Sequence, residues 1–234
     1  MAVYAIADLH LSHGTDKPMD VFGIKWKDHA EKIKKNWLET VREEDTVIIP
    51  GDISWGMDIG GAREDLLFIE SLPGKKIIGK GNHDYWWNSM KKLGEYKKSL
   101  KLATVDFLYN NAFNVEDVTV FGTRGWFVEE APDDQTKKIL EREAIRLALS
   151  LEAAEKISEG RELVAFLHYP PAYGNEISRP IMKVLRQSGV KRCYYGHLHN
   201  VQKYMLNHII DGIELILISS DYLDFKPVCV SPIS

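Results

Sequence analysis

Cysteine is scarce in this chain, with only Cys193 and Cys229 among 234 residues. The two form no C-x-x-C motif, and two thiols cannot build the disulfide framework that staples small secreted domains. A closed, cysteine-rich structural zinc site is excluded for the same reason. The shortage of cysteine favours a reducing compartment, so we expect a cytoplasmic protein.

Long apolar runs are also missing. No stretch reaches the roughly 18–20 apolar residues that span a bilayer, and the first residues lack the basic start of a signal peptide. We therefore expect no membrane partner. Positive charge is not in excess either, because 34 acidic residues outnumber 30 basic ones and the net charge is −4. This balance argues against a nucleic-acid partner, which would need a broad basic surface.

The chain does have enough length and apolar content for one sizeable core. Of its 234 residues 44% are hydrophobic, and no repeat, low-complexity segment or flexible linker interrupts them. We expect a single domain over residues 1–234. Short apolar runs alternate with segments of helical period, which is typical of an α/β fold with buried strands. The apolar runs predict strands at residues 2–7, 46–50, 75–79, 163–167 and 192–196.

Helical periodicity occupies the segments between these runs. It predicts helices over residues 24–43, 62–72, 85–100 and 133–157. Asp133 and Asp134 supply a cap residue and first-turn negative charge to the last of them. Two other segments, 112–122 and 204–220, indicate antiparallel hairpins, the second around the dipeptide Asp211-Gly212.

Polar side chains that can bind metals follow all five apolar runs. If the five strands belong to one sheet, these side chains meet at its carboxyl edge, where open α/β sheets bind ligands. Carboxylates, imidazoles and an amide without thiolates suit Mn, Fe, Zn or Co in a site with open positions. One ion rarely needs so many ligands, which favours two ions sharing a carboxylate. In chain order the residues are Asp8 and His10, Asp52, then Asn82, His83 and Asp84, then His168, and finally His197 and His199.

Each of these residues has a structural alternative when taken alone. An aspartate after a strand is often a helix cap or a turn residue, and a lone histidine is often a hydrogen-bonded core residue. The shared placement of all five groups favours a common site over five independent structural roles.

The order of the motifs adds a family resemblance. The motifs DLH, GD, GNHD, FLHYP and GHLH, spread over residues 8–199, resemble those of the calcineurin-like metallophosphoesterase family. The resemblance implies a sandwich of two mixed β-sheets flanked by α-helices. It also implies hydrolysis of phosphate mono- or diesters of a small phosphorylated substrate. The reaction would use a hydroxide that bridges two divalent metal ions, Mn, Fe or Zn.

The resemblance also implies a role for each motif residue. One metal would be held by Asp8, His10 and His199, the other by Asn82, His168 and His197, and Asp52 would bridge them. His83 would face the leaving-group oxygen rather than a metal. Asp84 would orient the His83 ring through a hydrogen bond.

Arg124, in the turn GTRGW, is our candidate for binding the substrate phosphate. A guanidinium can bind phosphate through two parallel hydrogen bonds, although an ordinary ion pair is the alternative. Tryptophans near the motifs, such as Trp55, either wall a pocket or belong to the core. We expect His29 on the surface of its helix and assign it no role.

Two other functions stay open at this point. A nuclease or cyclic-nucleotide phosphodiesterase would use the same motifs on another ester. A partner-binding protein on the same fold would have lost catalysis. The presence of His83 and of every matched ligand position argues against that second alternative.

Overall fold

The computed structural model describes residues 1–127 and 133–230. Its strands, in chain order, are β1 (Val3–Ala5), β2 (Thr46–Ile49), β3 (Lys75–Ile78), β4 (Val105–Phe107), β5 (Ala112–Val115), β6 (Val118–Thr123), β7 (Glu162–Leu167), β8 (Ala172–Tyr173), β9 (Glu176–Ile177), β10 (Arg192–Tyr195), β11 (Ile209–Ile210), β12 (Ile213–Leu217) and β13 (Val228–Cys229). The helices are α1 (His29–Thr40), α2 (Ile59–Ser71), α3 (Met90–Ser99), α4 (Asp134–Ile157) and α5 (Arg179–Ser188).

The longer strands form two mixed sheets. The first has the order β13-β1-β2-β3-β4, with β1 to β4 parallel and β13 antiparallel. The second has the order β11-β12-β10-β7-β6-β5, parallel at its centre and antiparallel at both edges. The predicted α/β class with two mixed sheets flanked by helices is confirmed.

Apolar side chains from both sheets pack against each other in the middle of the sandwich. Ile48 and Ile77 of the first sheet share one buried cluster with Val164 and Phe166 of the second. The alternate residues of the first sheet, such as Val47, pack instead against α1, α2 and α3. Because both faces of these strands are covered, the strands are continuous apolar runs in the sequence.

The second sheet is covered on its outer face by α4 and α5. Leu147 of α4 and Leu185 of α5 pack there against Ala165 and Cys193 of the central strands. No helix in the described ranges is both long and apolar enough to cross a membrane.

Helix boundaries differ from the predicted ones at two N-termini. The first predicted helix begins at His29 instead of residue 24, because Ile24–Trp26 is a short 3-10 helix and Asp28 has left-handed backbone. Helix α3 begins at Met90 instead of residue 85, with Ser89 as its cap. Helix α4 matches the predicted segment, and Asp133 caps it as expected. Helix α5 was missed.

The two predicted hairpins are both present. Strands β5 and β6 pair antiparallel over 112–123, and β11 and β12 pair around Asp211 and Gly212. Both turn residues have positive φ, as the tight hairpin turn requires.

Candidate metal centre

The predicted ligand residues lie together, although the strands that carry them do not share one sheet. Strands β1, β2 and β3 belong to the first sheet, whereas β7 and β10 belong to the second. A single sheet for these five strands is therefore wrong, whereas the two sheets that the family resemblance implies are present. The loops after all five strands meet instead at one end of the sandwich, because both sheets end there. Apolar runs show where strands are but not which strands pair.

One group of ligand atoms comes from Asp8, His10 and His199, whose atoms all lie within 4.8 Å of one another. The two imidazole Nε2 atoms of His10 and His199 face each other at 3.2 Å. The other ring nitrogen of His199, Nδ1, lies 2.7 Å from a carboxylate oxygen of Asp221. A proton held at Nδ1 by Asp221 leaves a lone pair on His199 Nε2 for a metal ion.

A second group comes from Asp8, Asp52 and His168, again within 4.8 Å. The amide oxygen of Asn82 adjoins this group, 2.6 Å from His168 Nε2 and 2.9 Å from His197 Nδ1. Asn82, His168 and His197 therefore converge on one point.

Asp52 lies between the two groups. Its Oδ2 atom is 3.7 Å from His10 Nε2 on one side and 3.5 Å from His168 Nε2 on the other. Its Oδ1 atom accepts a hydrogen bond from the backbone N–H of His83 at 2.8 Å. Oδ2 is thus the carboxylate oxygen that is within reach of both groups.

The electrostatics of the site fit divalent cations. Burial raises the pKa of Asp8 to about 6, and burial together with the charge of Asp84 raises the pKa of Asp52 well above its ordinary value. Burial likewise keeps the pKa values of His10 and His168 well below their ordinary value, so both rings are neutral. Buried carboxylates beside neutral imidazoles are costly unless a cation joins them. Within residues 1–127 and 133–230, two buried atoms of this set, Asp8 Oδ1 and His168 Nδ1, have no hydrogen-bond partner.

Backbone strain marks the same residues. The φ angles are 59° at Asp8, 46° at His10, 51° at Asp52 and 71° at His197. Residues with side chains rarely occupy this left-handed region, and such strain persists where the surrounding structure enforces it, often at functional sites. The strained turns aim these side chains at the shared point.

Two motif glycines are explained by the close approach of the carboxylates. A Cβ atom added to Gly81 would lie 2.1 Å from Asp52 Oδ1, and one added to Gly196 would lie 2.5 Å from Asp8 Oδ2. The glycines of GNHD and GHLH therefore make room for the acidic ligands.

Asp84 does not bond to the ring of His83. Its carboxylate accepts hydrogen bonds from the backbone N–H groups of Asp52, Ile53, Ser54 and Gly81 and from the indole N–H of Trp86. The Nδ1 atom of His83 is buried with no hydrogen-bond partner. The expected hydrogen bond between these neighbours is wrong, because the turn at residues 82–85 directs the two side chains apart. Asp84 instead joins the loop after β2 to the loop after β3.

His83 borders a cavity of about 210 Å³ on the side of His10 and His199. Its ring centroid is 4.3 Å from that of Trp55. Burial, with a contribution from Lys17, lowers the pKa of His83. Met19, Phe22, Trp26 and Trp55 give the cavity an apolar and aromatic wall, and Asn200 adds a polar side chain.

His29 is buried, so the expectation of a surface histidine is wrong. Its Nε2 atom lies 3.1 Å from the backbone carbonyl oxygen of His10. A signal was present in the sequence, because His29 lies four and eight residues before the buried Ile33 and Trp37, on the same helix face. Asp221 was also missed, since no motif precedes it.

Arg124 does not reach the two ligand groups with its side chain. Its Nη2 atom is 3.7 Å from a carboxylate oxygen of the buried Glu143, and its guanidinium lies 4.9 Å from the Trp126 ring centroid. Its backbone carbonyl oxygen accepts hydrogen bonds from the backbone N–H groups of His168 and Tyr169. The ion-pair alternative is therefore present, and Arg124 adjoins the metal centre through its main chain.

The fold and this donor set agree with the comparison to known families. The profile of the family described as calcineurin-like phosphoesterase matches residues 1–201. The chain belongs to this family and is a phosphoesterase that uses divalent metal ions.

Individual relatives are distant or partial. The Gene 66 protein of Mycobacterium phage L5 is 35% identical over 78 residues, which are 33% of this chain and 37% of the phage protein. Phosphopantetheinyl hydrolase from Mycobacterium tuberculosis is similar in fold, with a TM-score of 0.56 and 14% identity over 99% of this chain and 96% of that one. A protein of unknown function from Aquifex aeolicus, AQ665, has a TM-score of 0.52 and 17% identity over 97% and 95% of the two chains.

Proposed function

We propose that the chain hydrolyses esters of small phosphorylated molecules at a binuclear metal centre. The observation that carries this proposal is the position of Asp52 Oδ2, within 3.7 Å of His10 and 3.5 Å of His168. One ion would be held by Asp8, His10 and His199, the other by Asn82, His168 and His197, with Asp52 shared.

The bound ions would supply a nucleophilic water near neutral pH and neutralise the phosphoryl oxygens. Asp8 and Asp52 contribute only two negative charges against the four positive charges of two divalent ions. The ligand set therefore leaves a positive site that favours an anionic substrate.

His83 serves the leaving group in this proposal. Its Nδ1 atom is buried, which leaves Nε2 as the ring nitrogen able to reach a substrate in the adjoining cavity. An N–H at Nε2 can donate a hydrogen bond to the departing oxygen or transfer its proton there. The apolar wall formed by Trp55, Phe22 and Met19 suits a small apolar or aromatic leaving group.

A cytoplasmic location and a small substrate belong to the same proposal. The cavity beside His83, at about 210 Å³, is small, and the net charge of −4 disfavours a polynucleotide. The choice between monoester and diester is left to experiment.

The test combines metal analysis with a paired assay. The Mn²⁺-loaded protein should contain two ions per chain and hydrolyse p-nitrophenyl phosphate or bis-p-nitrophenyl phosphate; the larger kcat/KM identifies a monoesterase or a diesterase. Asp52→Asn should lose both ions together with activity. His208→Ala, a change of an exposed histidine outside the centre, should behave as wild type. An Asp52→Asn protein with two ions and full activity would overturn the shared-ligand assignment.

A further inference from the structure

A second concave site, with no lining residue in common with the His83 cavity, adjoins the metal centre. It is a groove of about 450 Å³ lined by four cationic side chains, Lys80, Arg124, Arg142 and Arg146, with Trp87 and Tyr109 as aromatic walls. We call it the cationic groove. None of these four side chains belongs to the two ligand groups described above.

Positive charge in the cationic groove is far from balanced within the described residues. Glu143 is the carboxylate that contacts the arginines, at 2.7 Å from Arg146, 3.5 Å from Arg142 and 3.7 Å from Arg124. Glu143 is fully buried and does not line the groove, so within the described ranges the three arginines share one contacting carboxylate. Crowding of like charges in a partly desolvated site is unfavourable until an anion enters.

Two of the cations have hydrogen-bonding capacity that no described group uses. Lys80 is half-buried and forms no ion pair with the residues that the structure describes. The Nε atom of Arg124 is buried and has no hydrogen-bond partner among the residues that the structure describes. Arginines with free N–H groups bind phosphate well because their planar donors match its oxygens.

The start of helix α3 adds a further anion-binding feature. Asn88 and Ser89, which precede the first turn, line the same groove. Backbone N–H groups at the N-terminus of a ten-residue helix favour negative charge.

The cationic groove adjoins the metal centre through two short backbone links. Lys80 lies two residues before Asn82, and the carbonyl of Arg124 accepts the N–H of His168 at 3.2 Å. Tyr169 lies at the boundary, with its ring centroid 4.2 Å from that of His197.

We infer that the cationic groove binds a second phosphate group, carried by the same substrate whose ester is hydrolysed at the metal centre. This inference rests on the proposed function and narrows it to small molecules with two phosphate groups. The cleaved ester would lie at the metal ions with its leaving oxygen facing His83, and the rest of the leaving group would carry the second phosphate to Arg124 and Arg146.

The first experiment measures phosphate binding without turnover. Equilibrium dialysis of inorganic phosphate against the Mn²⁺-loaded full chain should give two sites per chain in wild type. The double variant Arg142→Gln/Arg146→Gln should weaken one of them at least tenfold. Arg186→Gln is the matched control, because Arg186 is an exposed arginine of α5 that pairs with Asp211. This variant should keep both phosphate sites.

Arg142→Gln alone guards against a folding defect, because the Arg142 side chain is half exposed whereas Arg146 hydrogen-bonds the buried Glu143. It should weaken the same site by a smaller factor. Two unchanged sites in both groove variants would overturn the inference.

The second experiment distinguishes a phosphate of the substrate from free phosphate. The ratio of kcat/KM for 1,4-butanediol bisphosphate to that for butyl phosphate should be at least ten in wild type and in Arg186→Gln, and it should fall toward one in the groove variants. If dialysis shows the second site but the wild-type ratio is near one, the groove binds free phosphate. That result would overturn the inference that the groove binds a phosphate group of the substrate. Failure to hydrolyse any ester would overturn the proposed function instead, while the dialysis result would stand by itself.

Discussion

The Oδ2 atom of Asp84 accepts a hydrogen bond from the backbone N–H of Asp52 at 2.9 Å. The same atom accepts the N–H of Gly81 at 2.7 Å, and Oδ1 accepts the N–H of Ile53. The aspartate of GNHD therefore holds the strained turn that carries Asp52 against the loop that carries Asn82. Its role is to position ligands from two strands relative to each other.

Asp84→Asn should weaken metal binding. The amide NH₂ would face backbone N–H groups that now donate to a carboxylate oxygen, so the turn at Asp52 would shift. Loss of a group that supports metal ligands typically costs roughly 10–100-fold in metal affinity. Competition with a fluorescent chelator, using Mn²⁺ and Zn²⁺, measures the change.

Asp106→Asn is the matched control, because Asp106 is half exposed and pairs with Lys97 away from the centre. It should leave metal affinity unchanged. If Asp84→Asn kept full metal affinity and lost only kcat, Asp84 would act through His83 after all.

His83→Ala should lower kcat and leave the metal content intact. Asp52 accepts a hydrogen bond from the backbone N–H of His83 and not from its ring, and the alanine keeps that N–H. The loss should be roughly 10²–10⁴ in kcat, the range for removal of a general acid. Steady-state kinetics with metal analysis of the same sample measures it, and His208→Ala serves as control. Loss of both ions from His83→Ala would disprove the assignment of His83 to the leaving group.

Gly196→Ala should displace the Asp8 carboxylate. The new methyl group would lie 2.5 Å from Asp8 Oδ2 and 2.7 Å from the Ala7 Cβ atom, too close for either to stay in place. We expect reduced metal content and at least a tenfold lower kcat/KM.

Gly94→Ala is the control for this change. Gly94 lies inside α3, has nothing within 4 Å of an added Cβ, and does not have positive φ. Alanine should therefore stabilise the protein by up to about 1 kcal/mol and leave metal content unchanged. Full metal content in Gly196→Ala would show that Asp8 tolerates displacement.

The sequence and its family resemblance predicted the two-sheet fold, and the structure brings the candidate ligand residues together, while their roles as ligands stay a prediction. The side chains of Asp8, Asp52 and His168 follow apolar runs, and runs buried on both faces are recognisable without partners. Which of those strands pair with one another was not predictable, because pairing depends on contacts between distant segments.

Supporting residues were harder to predict than ligands. Asp221 acts through His199, at 2.7 Å, but lies in a turn with no motif around it. The role of Asp84 depends on the path of the backbone between residues 81 and 84, which spacing does not specify. The cationic groove joins Lys80 to three arginines from more than 40 residues further along the chain, a grouping that only the fold produces.

Lys76 provides a prediction about stability that does not depend on the metal centre. Its side chain is fully buried, and its Nζ atom donates hydrogen bonds to the carbonyl oxygens of Leu72 and Gly74 at 2.5 and 2.8 Å. Burial lowers the pKa of Lys76 from 10.5 to about 8. Below pH 8 both the folded and unfolded chains carry the proton. Between pH 8 and 10.5 the unfolded chain keeps it while the folded chain releases it.

The contribution of Lys76 to the free energy of unfolding should therefore rise with pH across this window, by about 3 kcal/mol. Urea unfolding of wild type and Lys76→Met at pH 7, 9 and 10.5 measures it, because other titrating groups cancel in the difference. The free energy of unfolding of wild type minus that of Lys76→Met should increase as pH rises. Lys75→Met, which alters the exposed neighbouring lysine, should give a difference that does not vary with pH. A constant difference for Lys76→Met as well would mean that Lys76 has the same proton affinity in both states.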